Sequence, residues 1–132
     1  MSACWLKMIG TTENPCRESY TRKYADFARR PRRIHPGDRM VLYAVGGHKC
    51  VFAIVEVTSA VYDSRQKRHP YRVDIRYMVN VPVPAGVHID KVSSPKRSLL
   101  LSIPRASYFE LRPEEYERAA TKLRQVSESG GA

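Results

Sequence analysis

Gly37-Asp38-Arg39-Met40-Val41-Leu42-Tyr43 leads through Gly46-Gly47-His48-Lys49 into Val51-Phe52-Ala53-Ile54-Val55-Glu56-Val57. Met40 to Val45 and Val51 to Thr58 are apolar and β-branched enough for two buried strands. A Gly-Asp turn launches the first, and the four-residue connection supplies glycines where a hairpin needs positive φ. A buried antiparallel hairpin therefore stands at the centre of the chain.

Upstream of the hairpin, Ala3 to Ile9 reads as a short, mostly apolar strand. Asn14-Pro15 predicts a helix start, since Asn caps free N–H groups and Pro suits the first turn. Tyr20, Tyr24 and Phe27 then fall at i, i+4 and i+7, one face of a helix. Pro31 ends it, because Arg30 before a proline is pushed out of helical geometry. Downstream, Tyr62 to Pro70 is polar and basic, which predicts a loop. In Val73 to Val81 the residues Val73, Ile75, Tyr77, Val79 and Val81 share one face, and Asp74, Arg76 and Asn80 the other. Pro82 and Pro84 end that strand. Val87 to Val92 reads as either a short strand or a helix, and Leu99 to Ile103 as a short apolar element. Leu111-Arg112-Pro113-Glu114-Glu115 opens a final helix with buried stripe Tyr116, Ala119, Ala120 and Leu123. The reading is an α+β domain over residues 1–126, a small barrel with two or three short flanking helices, and a flexible tail over 127–132.

In a chain of 132 residues, a hydrophobic share of 42% suffices for a core. No apolar run approaches the roughly 18 residues of a membrane span, and the start lacks a basic-then-apolar signal segment. A cytoplasmic protein with no membrane partner is the expectation. Cys4, Cys16 and Cys50 are odd in number and contain no CxxC pair, which predicts reduced thiols and no metal site. There is no glycine-rich phosphate loop, no HExxH and no Gly-x-Ser-x-Gly. His35, His48, His69 and His88 have no evident carboxylate partner. Neither an enzyme nor a bound cofactor is expected.

Charge is more informative. The chain carries 23 Lys+Arg against 13 Asp+Glu, a formal net charge of +10. From Arg17 to Arg39 eight basic residues face three acidic ones, and from Tyr62 to Arg76 five face two. From Glu110 to Arg124 the signs balance, four against four. Cations gathered in two segments and balanced in the last helix are the footprint of a nucleic-acid face. Arg29, Arg30, Arg32, Arg33, Arg65, Lys67 and Arg68 are the candidate phosphate-binding residues, which hold a backbone without reading sequence.

Trp5-Leu6-Lys7, Gly37-Asp38-Arg39-Met40-Val41-Leu42-Tyr43, Ala53-Ile54-Val55-Glu56-Val57, Tyr62-Asp63, Tyr71-Arg72-Val73-Asp74-Ile75-Arg76 and Glu114-Glu115-Tyr116 together resemble, in this order, the EVE domain of the PUA-like superfamily, related to YTH and ASCH domains. The resemblance implies a PUA-like pseudo β-barrel of five to six mixed strands. It also implies a nucleic-acid-binding module for DNA or RNA, monomeric or weakly dimeric, that reads a modified, flipped-out base in an aromatic pocket. Mapped by resemblance, that pocket is lined by Lys7, Met8, Asn14, Tyr20, Tyr43 and Tyr62, with Met8-Ile9-Gly10-Thr11 as its floor and Asp63 beside Tyr62. The only tryptophan, Trp5, lies within the first strand, so tyrosines would stack on the base, at about 1–3 kcal/mol per base. Tyr20 and Tyr24 serve equally well to pack a helix, Asn14 to cap it and Asp63 to form a turn. Lys7 meets a base, a phosphate or solvent. The resemblance also leaves a second function open, an ASCH-like hydrolase of a modified nucleoside. It would use Lys7, Thr11 or Thr12, and Glu56, whose place in an apolar strand would raise its pKa.

Overall fold

The structure is a computed structural model that describes residues 2–11, 13–16, 20–95, 97–103 and 107–130. Its strands are β1 (Cys4–Ile9), β2 (Tyr24–Phe27), β3 (Arg39–Ala44), β4 (Cys50–Val57), β5 (Tyr62–Asp63), β6 (Tyr71–Asn80), β7 (Val87–His88) and β8 (Tyr108–Glu110). Helix α1 (Leu99–Ser102) is one turn, and α2 (Pro113–Gly130) closes the chain. The strands form one mixed sheet in the order β2-β6-β4-β3-β1-β8, with β5 beside β6 and β7 beside β4. β1 and β3 run parallel, from Cys4 opposite Arg39 to Ile9 opposite Ala44, and the other pairs are antiparallel. This curled half-barrel is the PUA-like α+β architecture that the sequence suggests.

The central hairpin forms as its sequence dictates. Residues 40–44 of β3 are buried, as are 50–55 of β4, because apolar packing covers both faces of these strands. Register separates the two faces. Trp5 and Lys7 of β1 lie level with Met40 and Leu42, and Leu42 with Ala53. Ala25 and Phe27 of β2 lie level with Val73 and Tyr71. These side chains line the concave side, where rings from the two end strands meet: Phe27 and Tyr108 at 5.1 Å, edge to face. The other side carries Arg39, which donates to the Tyr116 hydroxyl of α2 at 3.0 Å, and α2 packs there against β4, β6 and β7. Tyr116, Ala119, Ala120 and Leu123 are its buried stripe.

Several expectations are corrected. Asn14-Pro15 does not start a helix. Thr11 N–H donates to the Asn14 carbonyl at 3.0 Å, Asn14 N–H donates to Thr11 Oγ1 at 2.9 Å, and Pro15 bridges to Gly10. Those bonds close a turn, and Tyr24, Ala25, Asp26 and Phe27 follow as strand β2, with Ala25 and Phe27 buried at period two. Tyr62 and Asp63 are a two-residue strand, not loop. Residues 127–130, read as tail, continue α2. The alternation read along Val73 to Val81 breaks at a bulge. Val55 pairs with Tyr77 but Ile54 with Val79, so Met78 is the extra residue and the faces change phase beyond it. Strand β8 was not expected at all.

Candidate nucleic-acid interface

The two basic segments leave the same end of the sheet. β2 ends at Phe27, which pairs with Tyr71, the first residue of β6, and Tyr71 also pairs with Asp63 of β5. The loop from 28 to 38 therefore begins beside the place where the loop from 64 to 70 closes. The second loop is pinned by Ser64 N–H donating to the Pro70 carbonyl at 2.7 Å. Arg65 and His69 take φ of 63° and 51°, left-handed values that fold it tightly. Arg30 of the first loop lies over the Tyr71 ring, 4.9 Å from its centroid. Arg29, Arg30, Arg65, Lys67 and Arg68 are thus exposed at one end, with Arg32 further along the first loop.

Arg33 turns elsewhere. Its Nη2 donates to Glu110 Oε1 of β8 at 2.7 Å, and its guanidinium sits 5.6 Å from the Trp5 ring. It spans the gap between β2 and β8, the two ends of the sheet path. Asp38 fixes the entry to β3 beside it. One carboxylate oxygen accepts from Ala3 N–H at 3.0 Å, the other from the Trp5 indole N–H and from His35 N–H, both at 3.0 Å.

Beneath this gap lies Lys7. Only 5% exposed, it carries its ammonium 4.7 Å from the Phe27 centroid, while Trp5 meets Tyr108 at 5.8 Å. No hydrogen bond is made to its Nζ among the described residues. Burial pushes the amine down to about 8, against the opposing field of Asp26. The lysine neither snorkels to solvent nor pairs with a carboxylate. It is a cation held by an aromatic face.

The other pocket candidates do not form one cage. Met8 alternates with Lys7 and faces the opposite side of β1, level with Tyr43, which is 3% exposed and part of the core. Ile9 is buried. Gly10, at φ 90°, is needed by the turn, since a Cβ there would meet Cys16 N at 2.7 Å. Thr11 Oγ1 accepts from Asn14 N–H in that same turn, and Asn14 enters it through its backbone N–H and carbonyl. Tyr20 donates to the Tyr24 carbonyl at 2.7 Å, and burial pushes its phenol up. Tyr62 is partly exposed on the outer side of the sheet, and its hydroxyl donates to Asp74 Oδ1 at 2.7 Å. Asp63 accepts from Arg65 N–H at 2.7 Å, a turn role. On the same outer side Arg72 stacks on Tyr24 at 3.8 Å.

The hydrolase constellation is not assembled. Glu56 is level with Arg39 and ion-paired with Arg76 on the face opposite to Lys7. Thr11 is held in its turn, and Thr12 lies outside the described residues. Among the described residues no group of three His, Cys, Asp or Glu is placed to hold a metal, and no helix is long and apolar enough to cross a membrane. Two concavities of about 280 and 250 Å³ lie along α2, away from the basic loops. The second is lined by Gly86, His88, Lys91, Lys122 and Gln125 among others.

Sequence reasoning misses Phe27 and Tyr108 as the neighbours of Lys7. Phe27 fits a helical period, and Tyr108 sits in a three-residue strand with too little alternation to register. Tyr108-Phe109-Glu110 before Leu111 is the one signal that exists.

Comparison with known proteins agrees with this architecture. No curated protein matches the chain. Protein Atu2648 from Agrobacterium tumefaciens, a crystal structure, is similar in fold, with a TM-score of 0.57 at 21% identity over 98% of this chain and 94% of that one. Rpa0253 from Rhodopseudomonas palustris, an NMR structure, gives 0.53 at 18% identity over 95% and 92%. The family model for the EVE domain matches residues 20–121, which takes in β2 through the first half of α2. With that match spanning most of the sheet and both basic loops, the chain belongs to the EVE domain family.

Proposed function

We propose that this protein is a nucleic-acid-binding module that grips a backbone with its two basic loops and reads one modified, flipped-out base beside them. The observation that carries the reading is the pairing of Tyr71 with both Phe27 and Asp63, which brings cations far apart in sequence to one sheet end. Membership of a PUA-like family, generally given to nucleic-acid binding, supports it. The cations are exposed, and Arg29, Arg32, Arg65, Lys67 and Arg68 have no carboxylate ion-paired to them among the described residues. They are free to displace counterions from phosphates. Taking a base out of its stack costs a few kcal/mol, an amount that phosphate contacts and one stacked ring can offset.

The test is binding of labelled oligonucleotides by fluorescence anisotropy over a salt series, with modified and unmodified cytosine or adenine at one position. Affinity falls linearly on logarithmic axes as salt rises. Replacing Arg29, Arg30 and Arg32 by Ala lowers it for all sequences alike, and flattens the slope by about 0.7–0.9 for each phosphate no longer neutralised. One modified base binds better than its parent. Absence of binding at low salt, or a slope near zero, removes the reading. Equal affinity for every base would remove its second half.

A further inference from the structure

Arg72 follows Tyr71, the residue that brings the two basic loops together, and alternation turns its side chain to the outer side of the sheet. There its guanidinium lies over the Tyr24 ring, 3.8 Å from the centroid, a contact that holds the cation in place. Among the described residues it has no ion pair, and its Nε is buried without a hydrogen-bond partner. A guanidinium carries five N–H donors in a planar fork, so this one is fixed in position with donors unbonded. An arginine that only held the sheet together would give them to a carboxylate, and two are near. Asp26, level with Arg72, instead lies 4.0 Å from Arg22, and Asp74 accepts from the Tyr62 hydroxyl. Tyr62 is the cross-strand neighbour of Arg72. At 38% it is the most exposed aromatic side chain among the described residues, and its bond to Asp74, two residues further along β6, fixes where the ring lies.

We infer that the outer face of β5 and β6 carries a single strand of nucleic acid, with a phosphate held by Arg72 and an unpaired base stacked on Tyr62. The strand form follows from the parts. Single strands are bound by cations set among aromatic rings, which tolerate any base because every base has a π-face. A duplex keeps its bases stacked inside. Being stiff, it rests its phosphates on the protruding loops and does not reach a half-buried guanidinium on the sheet. This contact holds the strand as it leaves the loops and discriminates no base, so it is separate from recognition of the flipped-out one.

The inference rests on the nucleic-acid reading, and the test separates the two. A labelled single-stranded oligonucleotide and its duplex are compared by fluorescence anisotropy, and the ratio of the two affinities is read, because loss of folded protein lowers both alike. Arg72→Gln lowers that ratio about tenfold and takes about 0.7 off the single-strand salt slope. Tyr62→Ala lowers it about fivefold or more and leaves the slope unchanged, whereas Tyr62→Phe, which keeps the ring, stays within about twofold of wild type. A ratio unmoved by Arg72→Gln or by Tyr62→Ala, a Tyr62→Phe protein as weak as Tyr62→Ala, or wild-type binding of the duplex alone overturns the track. If that happens while the wild type still binds with a salt slope, the basic loops stand and only the outer face falls. If the wild type binds neither form, the nucleic-acid reading falls and this surface with it.

Discussion

Lys7 places a cation in a barrel interior, and its cost is readable. A pKa lowered from 10.5 to about 8 disfavours the charged form by roughly 3 kcal/mol. Below pH 8 both folded and unfolded chains hold this proton, so the penalty is constant. From 8 to 10.5 the unfolded chain holds more protons, and stability rises with pH. Cys4, Cys50, Tyr20 and Tyr77 act the other way, because burial pushes their pKa values up, that of Tyr77 to about 12. Their unfolded forms lose protons first. Asp26 supplies the field that opposes the shift of Lys7. The difference between wild type and Lys7→Met therefore isolates the lysine. Urea denaturation should find the variant more stable by about 1–3 kcal/mol at pH 7, with the gap at pH 9.5 less than half of that. A gap that does not depend on pH would mean the amine is not desolvated in solution. Lys7 stood out in sequence as a candidate site residue, but its burial did not, because a lysine in an apolar strand reads as snorkelling unless the walls around it are known.

At the level of elements, Asp38 shows what a turn residue accomplishes. The Gly-Asp signal announced a strand start and nothing more, yet one carboxylate binds β1 through Ala3 and Trp5 and orders the loop through His35. Asp38→Ala leaves a buried indole N–H unpaired and should cost about 2–4 kcal/mol, seen as a lower urea midpoint at unchanged m-value. Asp38→Asn, which keeps an acceptor, should cost less. Gly46 argues the same way from shape. At φ 131° its missing Cβ would lie 2.7 Å from Pro15, where the 10–16 turn docks on the hairpin. Gly46→Ala should destabilise by about 1–3 kcal/mol, beyond the propensity gain Ala gives elsewhere. The hairpin, β6 and α2 were legible because each carries long, consistent periodicity. β2 and β8 were not. Four residues of Tyr-Ala-Asp-Phe fit periods of two and of 3.6 equally, and only pairing with β6 chooses between them. The candidate site suffered for it, since a helix at 15–27 would have carried Phe27 away from Lys7.

For the whole molecule the question is whether net charge or its placement does the binding. The chain is +10, and charge alone gives any polyanion some affinity. Topology puts the cations at one end, however. β4 spans eight residues, about 27 Å at 3.4 Å per residue. Its Cys50 end lies beside β7, near Lys122 of α2, and its Val57 end runs on toward β5 and the 64–70 loop. At 0.1 M salt the screening length is about 10 Å, so charges at the far end contribute little to a phosphate held at the near one. Reversing Arg29 and Arg68 to Glu, or Lys122 and Arg124 to Glu, lowers the net charge by the same four units. All but Lys122, which is half-buried, are exposed. The first pair should reduce oligonucleotide affinity at least 100-fold, as missing attraction and new repulsion add at adjoining loops, and flatten the salt slope by about two. The second should change affinity less than threefold at 0.1 M salt and leave the slope alone. Equal effects from the two pairs would show that the polyanion meets a diffuse cation cloud, and the sheet end formed by Phe27, Tyr71 and Asp63 would then have no special part in holding it.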